Sequence, residues 1–226
     1  MPHAQTTLTR LRGLVISVLF LALLANAFGI DLNRLRQSFN FNGGSEKNFN
    51  DWQNLITEAD SLPIEAKLQK VNQFFNRKII YTEDMELWGQ TDYWATPMES
   101  LGKGRGDCED YVIAKYFSLR SLSVPDQQLR LIYVKAKVGG AHSSVQQAHM
   151  ILAFYPDHKS EPLILDNLIS EIRPASRRSD LNPVFSFNSQ GVFTGNTANA
   201  DLGIGGTSRL SRWHELLNRA RKEGFD

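Results

Sequence analysis

The order in which helical and strand-like patterns follow one another is the feature that most restricts the fold of this chain. Apolar residues recur at helical spacing between residues 52 and 78 and again between 107 and 122. Three strand-like runs follow, LRLIYVKAKV (129–138), AHMILAFY (148–155) and PLILD (162–166), with turn residues between them. Helices first and consecutive strands after them predict an α+β fold with an antiparallel sheet.

Further patterns follow the strands. FSFNSQGVF (185–193) carries a weaker hairpin signal, and LSRWHELLNRARKEG (210–224) predicts a short amphipathic helix. NTANADLGIGG (196–206) is a low-complexity loop between them. We find no internal repeat and expect one domain over residues 51–226, which is long enough for a full core.

The N-terminus has the three parts of a secretory signal peptide. Arg10 and Arg12 form a positive region, GLVISVLFLALLA (13–25) is a short apolar region, and Ala25-Asn26-Ala27 is a small-residue cleavage site. The pattern predicts cleavage after the first 27 residues and export to the periplasm. The alternative is an uncleaved membrane anchor, because the apolar stretch continues to Ile30.

Charge and cysteine content narrow the function further. Cleavage would remove two arginines and no acidic residue from 25 basic and 24 acidic residues, leaving 23 and 24. This balance gives no electrostatic footprint for a nucleic acid. In an oxidising compartment the lone cysteine, Cys108, has no partner for an intrachain disulfide, so it is either buried and inert or kept for chemistry.

Two segments lack a clear period. Residues 28–50 are polar and rich in asparagine, and we expect them to form a loosely packed N-terminal arm. Residues 81–106 are irregular and rich in aromatic side chains. An unstructured run of that length inside a compact domain is usually a functional loop.

Cys108 stands where a helix is predicted to begin, behind glycines at 102, 104 and 106. Asp107 is suited to cap that helix, and the unpaired N–H groups and the dipole of a first turn favour a thiolate. The alternative is a small buried side chain, the usual fate of a free cysteine. Export and the glycine-rich approach favour a nucleophile.

A nucleophilic thiol needs a base, and the base needs a third group that fixes its tautomer. Among five histidines, only His149 stands in a predicted strand; the others are His3, His142, His158 and His214. Asp166 ends the next strand-like run, so a hairpin of the two strands would bring both residues to one end of the sheet. Asn167 is an alternative third group, and a purely structural role is the alternative for His149.

Several motifs resemble one known family. The run LWGQTDYWATPMESLGKGRGDCEDYVIAKYFSLRSL, the histidine of AHM and the aspartate of LILDN occur in the order found in the bacterial transglutaminase-like cysteine proteinases, the LapG-type periplasmic proteases. The resemblance covers most of residues 50–175 and weakens toward the C-terminus.

The resemblance implies a papain-like or transglutaminase-like α+β fold, with the cysteine at the start of a helix packed on the sheet. It implies Cys108 as nucleophile, His149 as base and Asp166 as orienter, with a calcium ion near the cysteine. The family's usual substrate is a giant surface adhesin, cut near its N-terminal retention module to release cells from a biofilm. An inner-membrane receptor that senses cyclic-di-GMP sequesters the protease.

The acids beside the cysteine are candidate ligands for the calcium ion. Three carboxylates about 6 Å from a thiolate would each oppose it by a few kcal/mol at an effective dielectric of about 20. A catalytic thiolate there needs a compensating cation, and calcium prefers oxygen ligands. We expect Asp107, Glu109 and Asp110 to supply them, with three acids of the preceding loop in reserve: Glu83, Asp84 and Asp92.

For the oxyanion hole we expect the backbone N–H of Cys108 and the side chain of Gln90. Two other functions share these residues: acyl transfer to an amine, as in transglutaminases, and calcium-regulated binding with a vestigial triad. A transition-metal site of Cys108, His149 and Asp166 is disfavoured, because the short ligand pairing of structural sites is missing.

Overall fold

The structure of the chain, a computed structural model, describes residues 28–41, 45–139, 143–157, 159–194 and 207–226. Within these residues, helices cover one face of a six-stranded antiparallel sheet. The predicted α+β order is therefore confirmed.

Several sequence predictions fall outside the described residues. They are the signal peptide, the loop 196–206 and three histidines: His3, His142 and His158. Among the described residues, no helix combines the length and the apolar character that a membrane span requires.

Seven α-helices are described: α1 Leu32–Phe41, α2 Glu46–Ala59, α3 Ile64–Lys78, α4 Asp84–Leu87, α5 Pro97–Lys103, α6 Cys108–Ser121 and α7 Thr207–Glu223. Eight strands are described: β1 Ile80–Tyr81, β2 Arg105–Gly106, β3 Leu129–Lys137, β4 Gln146–Phe154, β5 Leu163–Leu165, β6 Arg173–Pro174, β7 Leu181–Asn188 and β8 Gly191–Thr194.

The sheet has the strand order β6-β5-β4-β3-β7-β8, and each neighbouring pair is antiparallel. Strands β3 and β4 pair over their full length, from Leu129 opposite Phe154 to Lys137 opposite Gln146. On its β4 side, strand β5 pairs with only the last three residues of β4. The hairpin predicted for the histidine and aspartate strands is therefore confirmed.

Helix α6 lies in the centre of the core. The sequence predicts one apolar face, but the structure buries nearly the whole helix between Glu109 and Leu119, because the sheet and helices α3 and α5 pack around it. Asp107 caps the helix as predicted, in a capping box with Asp110. Gly106 is required before the cap, because an added Cβ would come within 2.5 Å of an Asp110 carboxylate oxygen.

The expectation of a loosely packed arm over residues 28–50 is wrong. Phe39 on α1 and Phe49 on α2 are fully buried, and Ile30 forms a β-bridge with Phe225 near the end of the chain. Asn33 and Asn50 are exposed, whereas Phe39 and Phe49 face the core, so the polar composition of the segment hides a packed side.

The segment 81–106 contains more regular structure than the sequence predicts. It includes α4 and α5, and strands β1 and β2 pair in parallel across its ends. Thr96 and Glu99 form a capping box at the start of α5, with Pro97 as the first helical residue. The two ends of the segment are thereby fixed beside the start of α6.

Candidate active site

The candidate site is a cleft of about 660 Å³. It is lined by the start of α6 with Cys108, the exposed end of β4 with His149, and the loop after β5 with Asn167 and Leu168. The segment between β1 and α5 contributes most of the remaining wall. The fold thus brings the predicted nucleophile and base to one cleft.

Cys108 is the first residue of α6 and is half-buried. Its thiol donates to Oε2 of Glu109 at 2.7 Å, and no hydrogen bond joins it to His149 in the described structure. Burial raises the pKa of the thiol well above its usual value, and the carboxyl groups of Glu109 and Asp107 raise it further. The chain's own charges thus favour the neutral thiol, in spite of the helix dipole.

His149 and Asp166 form a buried pair. Nε2 of His149 lies 2.7 Å from Oδ1 of Asp166, and both side chains are almost fully excluded from solvent. Because Nε2 faces a carboxylate, it carries the proton, and Nδ1 is the nitrogen left to accept one. The structure pairs the histidine with Asp166 rather than with the alternative, Asn167.

Two residues that the sequence patterns do not mark support Asp166. Arg178 donates to its Oδ2 at 2.7 Å, and Nδ2 of Asn76 donates to its backbone carbonyl at 2.7 Å. Burial opposes ionisation of Asp166, but the hydrogen bonds from His149 and Arg178 outweigh it and lower the pKa to about 2. No local pattern in the sequence marks Arg178, because it reaches the site only through the turn after β6.

The acids form two clusters that share Asp107. One contains Asp84, Asp107 and Asp110, and the other contains Asp107, Cys108 and Glu109, with candidate ligand atoms within 4.8 Å of one another. Burial followed by the charges of neighbouring acids raises the pKa of Asp107 to about 10. Burial above all raises the pKa of Asp84 to about 6 and that of Asp110 well above its usual value.

The residues of these clusters fit a hard cation. Oδ1 of Asp84 is buried and has no hydrogen-bond partner in the described part of the chain, although it lies among acids that repel one another. An ion that prefers carboxylate oxygens would satisfy it and offset the repulsion. Of the reserve ligands, Asp84 thus joins Asp107 and Asp110, whereas Asp92 pairs with Arg212. His149 is in neither cluster.

Gln90 does not take the expected place. Its side chain is exposed, and it is not among the residues that line the cleft, whereas its neighbours Thr91 and Asp92 are. The chain turns at Gly89, whose φ is 67°, and this turn precedes the outward-facing glutamine. The expected oxyanion role of Gln90 therefore has no support from the geometry.

Comparison with known proteins decides the family. The profile described as bacterial transglutaminase-like cysteine proteinase BTLCP matches residues 49–180. The chain belongs to this family. It is therefore a cysteine protease, and its α+β fold is that of the transglutaminase-like cysteine proteinases. No curated protein matches the chain.

Two solved structures of this family are similar over most of the chain. Calcium-bound LapG of Legionella pneumophila is 39% identical, with a TM-score of 0.70, and the match covers 84% of this chain and 99% of that one. EGTA-treated LapG of the same organism is 38% identical, with a TM-score of 0.71, and the match covers 86% of this chain and 100% of that one.

Proposed function

We propose that this proteinase is a calcium-dependent endopeptidase of the periplasm, which uses Cys108 as nucleophile, His149 as base and Asp166 as orienter. The observation that carries the proposal is the buried 2.7 Å contact between His149 and Asp166 at a cleft that also holds the only cysteine. A histidine held in this way is oriented for proton transfer.

In the first half of the reaction, Nδ1 of His149 takes the thiol proton and the sulfur of Cys108 attacks the peptide carbonyl carbon. The carbonyl electron pair moves to oxygen. The backbone N–H of Cys108, in the first turn of α6, has no intrahelical acceptor and is suited to donate to that oxygen. The C–N bond then breaks, and the leaving amine takes the proton from His149.

In the second half, the thioester is hydrolysed. His149 takes a proton from water, the hydroxide attacks the thioester carbon, and the C–S bond breaks to release a carboxylic acid. The sulfur recovers its proton from His149. An amine in place of water would give acyl transfer instead, so the identity of the second nucleophile separates a protease from a transglutaminase.

We assign calcium to the acids beside the thiol, with Asp84, Asp107, Glu109 and Asp110 as the residues that would hold it. Two observations support this assignment. The carboxylates of these residues repel one another, and the similar LapG of Legionella pneumophila has been solved both with bound calcium and after treatment with EGTA. When bound, the ion supplies two positive charges that offset the carboxylates around Cys108.

For location, substrate and partner, we propose export by the signal peptide, cleavage of the N-terminal region of a large surface adhesin to release cells from a biofilm, and sequestration by an inner-membrane receptor that senses cyclic-di-GMP. The three-part N-terminal pattern supports export. The resemblance to the LapG-type proteases supports the rest.

The test is incubation of residues 28–226 with the N-terminal segment of the large adhesin from the same genome, with calcium or with EGTA. We expect two discrete fragments with calcium and none with EGTA or with Cys108→Ala. Cross-linked products in the presence of an amine would instead identify acyl transfer. Absence of any reaction, together with iodoacetamide labelling of Cys108 that does not depend on His149, would identify a vestigial triad.

A further inference from the structure

Arg178 is a buried cation directly behind the triad. Its side chain is 1% exposed, and its Nη2 donates to Oδ2 of Asp166 at 2.7 Å and to Oδ2 of Asp180 at 2.8 Å. Nε of Arg178 donates to the other oxygen of Asp180 at 3.0 Å. Asp180 therefore holds the guanidinium through two bonds, and the guanidinium holds Asp166.

The remaining contacts of Asp166 complete its orientation. Oδ1 accepts from His149 at 2.7 Å and from the backbone N–H of Leu168 at 3.1 Å. With Arg178 on Oδ2, both carboxylate oxygens are occupied and the plane of the carboxylate is fixed. A second buried basic side chain nearby, Lys115, has no hydrogen-bond partner for Nζ in the described residues, and burial lowers its pKa to about 7, so it does not orient the carboxylate.

Stability alone gives a weak account of this arrangement. Burying an ion pair costs desolvation that its attraction often fails to repay. Here Nη1 of Arg178 is also buried without a hydrogen-bond partner in the described structure, which adds to that cost. The guanidinium of Arg178 bonds both oxygens of Asp180, so its Nη2 is held in place to donate to Oδ2 of Asp166, and what the arrangement supplies is a fixed position for Asp166.

We infer that Arg178, held by Asp180, is a positioning residue that keeps Asp166 an ionised and correctly oriented acceptor for His149, and so keeps Nδ1 of the imidazole free for Cys108. The inference rests on the proposed function of the triad. Without the guanidinium, Asp166 would lose one of its two fixed oxygens, and the histidine would sample both tautomers and more than one orientation.

The test compares Arg178→Met, Arg178→Lys and Asp180→Asn with the wild type in calcium. The readouts are kcat and KM on the adhesin segment, the rate of iodoacetamide alkylation of Cys108 at one pH, and the ¹⁵N shifts of the His149 ring, assigned with His149→Gln. Arg173→Met is the matched control, because Arg173 pairs with Glu171 outside the cleft. Thermal unfolding of each variant identifies those that fold.

We expect Arg178→Met to lower kcat by about 10- to 100-fold with little change in KM, since small misplacements of a catalytic group have effects of this size. Alkylation should slow in parallel, and the ring shifts should move from the Nε2–H tautomer toward a mixture. Arg178→Lys should recover part of the loss, and Asp180→Asn should lower kcat by about threefold, because its arginine stays charged but is held less firmly. Arg173→Met should match the wild type.

A folded Arg178→Met variant with unchanged kcat and an unchanged tautomer would overturn the inference. If that variant does not fold, Asp180→Asn decides by the same two measurements. A purely structural role would lower the unfolding temperature without moving the tautomer. Should the wild type fail to cut the adhesin segment, the proposed substrate is wrong, but the alkylation rates and ring shifts still decide the role of Arg178.

Discussion

Asp166 and Asp107 are both aspartates of one site, yet their carboxyl groups behave in opposite ways. Asp166 receives hydrogen bonds from His149 and Arg178, and its pKa falls to about 2 in spite of burial. Asp107 is half-buried beside Glu109 and Asp110, and its pKa rises to about 10. The residue type is the same, and the sign is set by whether a cation faces it.

This difference divides the site into two halves. The half that contains His149 and Asp166 is complete within the chain, because a guanidinium and an imidazole supply the donors that the carboxylate needs. In the half that contains Cys108, no basic side chain of the described residues pairs with the acids of the two clusters, and these acids oppose the thiolate. We therefore expect loss of a side chain to damage the first half and loss of a metal to damage the second.

The largest effect should follow removal of the reacting groups. We expect Cys108→Ala and His149→Ala to abolish cleavage of the adhesin segment, a loss on the order of 10⁶ in kcat, with the fold retained. Asp166→Ala should lower kcat by about 10⁴-fold but leave residual activity, because an orienter is less essential than the base. Initial rates of fragment release measure this, and substantial cleavage by Cys108→Ala would refute the mechanism.

The next largest effect should follow removal of the metal, which acts on the half of the site that contains Cys108. One uncompensated carboxylate within 4.8 Å of the thiolate opposes it by at least about 3 kcal/mol at a dielectric of about 20, or at least about 100-fold in rate. We expect EGTA to lower activity by at least about 100-fold, with recovery in calcium better than in magnesium, which demands a tighter octahedral shell.

Asp107→Asn should mimic chelation, since asparagine still caps α6 but carries no charge. Glu86→Gln is the control, because Glu86 is exposed and paired with Arg105 outside the two acid clusters. Equal activity of the metal-stripped and calcium-loaded wild type would mean that the acids only cap the helix.

How far the sequence alone predicts this site depends on the distance over which each signal acts. The strands follow from alternating apolar residues, and the cap at Asp107 follows from the residue type that precedes a helical pattern. The pairing of His149 with Asp166 follows from two consecutive strands, so local patterns predict all three features. Arg178 lies twelve residues after Asp166 in the polar run SRRSD, and its contact depends on how β6 and the turn after it pack. No local period encodes a contact of that kind.

Two expectations that the structure does not support have an equally physical origin. The expected loose arm came from average composition, which hides buried aromatic residues such as Phe39 and Phe49. The expected role of Gln90 came from a motif position, but its side chain is exposed and does not line the cleft. The capping box of Thr96 and Glu99, by contrast, has a local signature in the run TPME.

A smaller effect should appear in stability. An ion at 10 to 100 times its dissociation constant stabilises the folded state by about 1.4 to 2.7 kcal/mol, which is about 3 to 10 °C for a domain of this size. Calcium should raise the unfolding temperatures of the wild type and of Asp166→Asn by the same amount. It should raise the unfolding temperature of Asp84→Asn much less, because Asp84 belongs to an acid cluster and Asp166 does not. Equal calcium shifts in all three proteins, measured by thermal unfolding, would place the ion elsewhere.

The smallest effect tests, away from the cleft, whether burial without a hydrogen-bonded cation raises the pKa of a carboxyl group. Glu223, near the end of α7, is buried and accepts a hydrogen bond from Thr96, and burial raises its pKa to about 7 from 4.5. The folded chain therefore holds this proton more tightly than the unfolded chain, so its contribution to stability is present below pH 4.5 and is lost as the pH rises to about 7.

Glu223→Gln keeps an oxygen that can accept from Thr96 and removes the titration. Relative to the wild type, the variant should gain about 3 kcal/mol of unfolding free energy between pH 4.5 and 7, since each pKa unit is worth about 1.4 kcal/mol. Urea unfolding in calcium at several pH values measures the gain, with Glu58→Gln at an exposed ion pair as the control. A difference that stays constant with pH would mean that the pKa of Glu223 is not raised, and that burial without a hydrogen-bonded cation does not by itself raise the pKa of a carboxyl group.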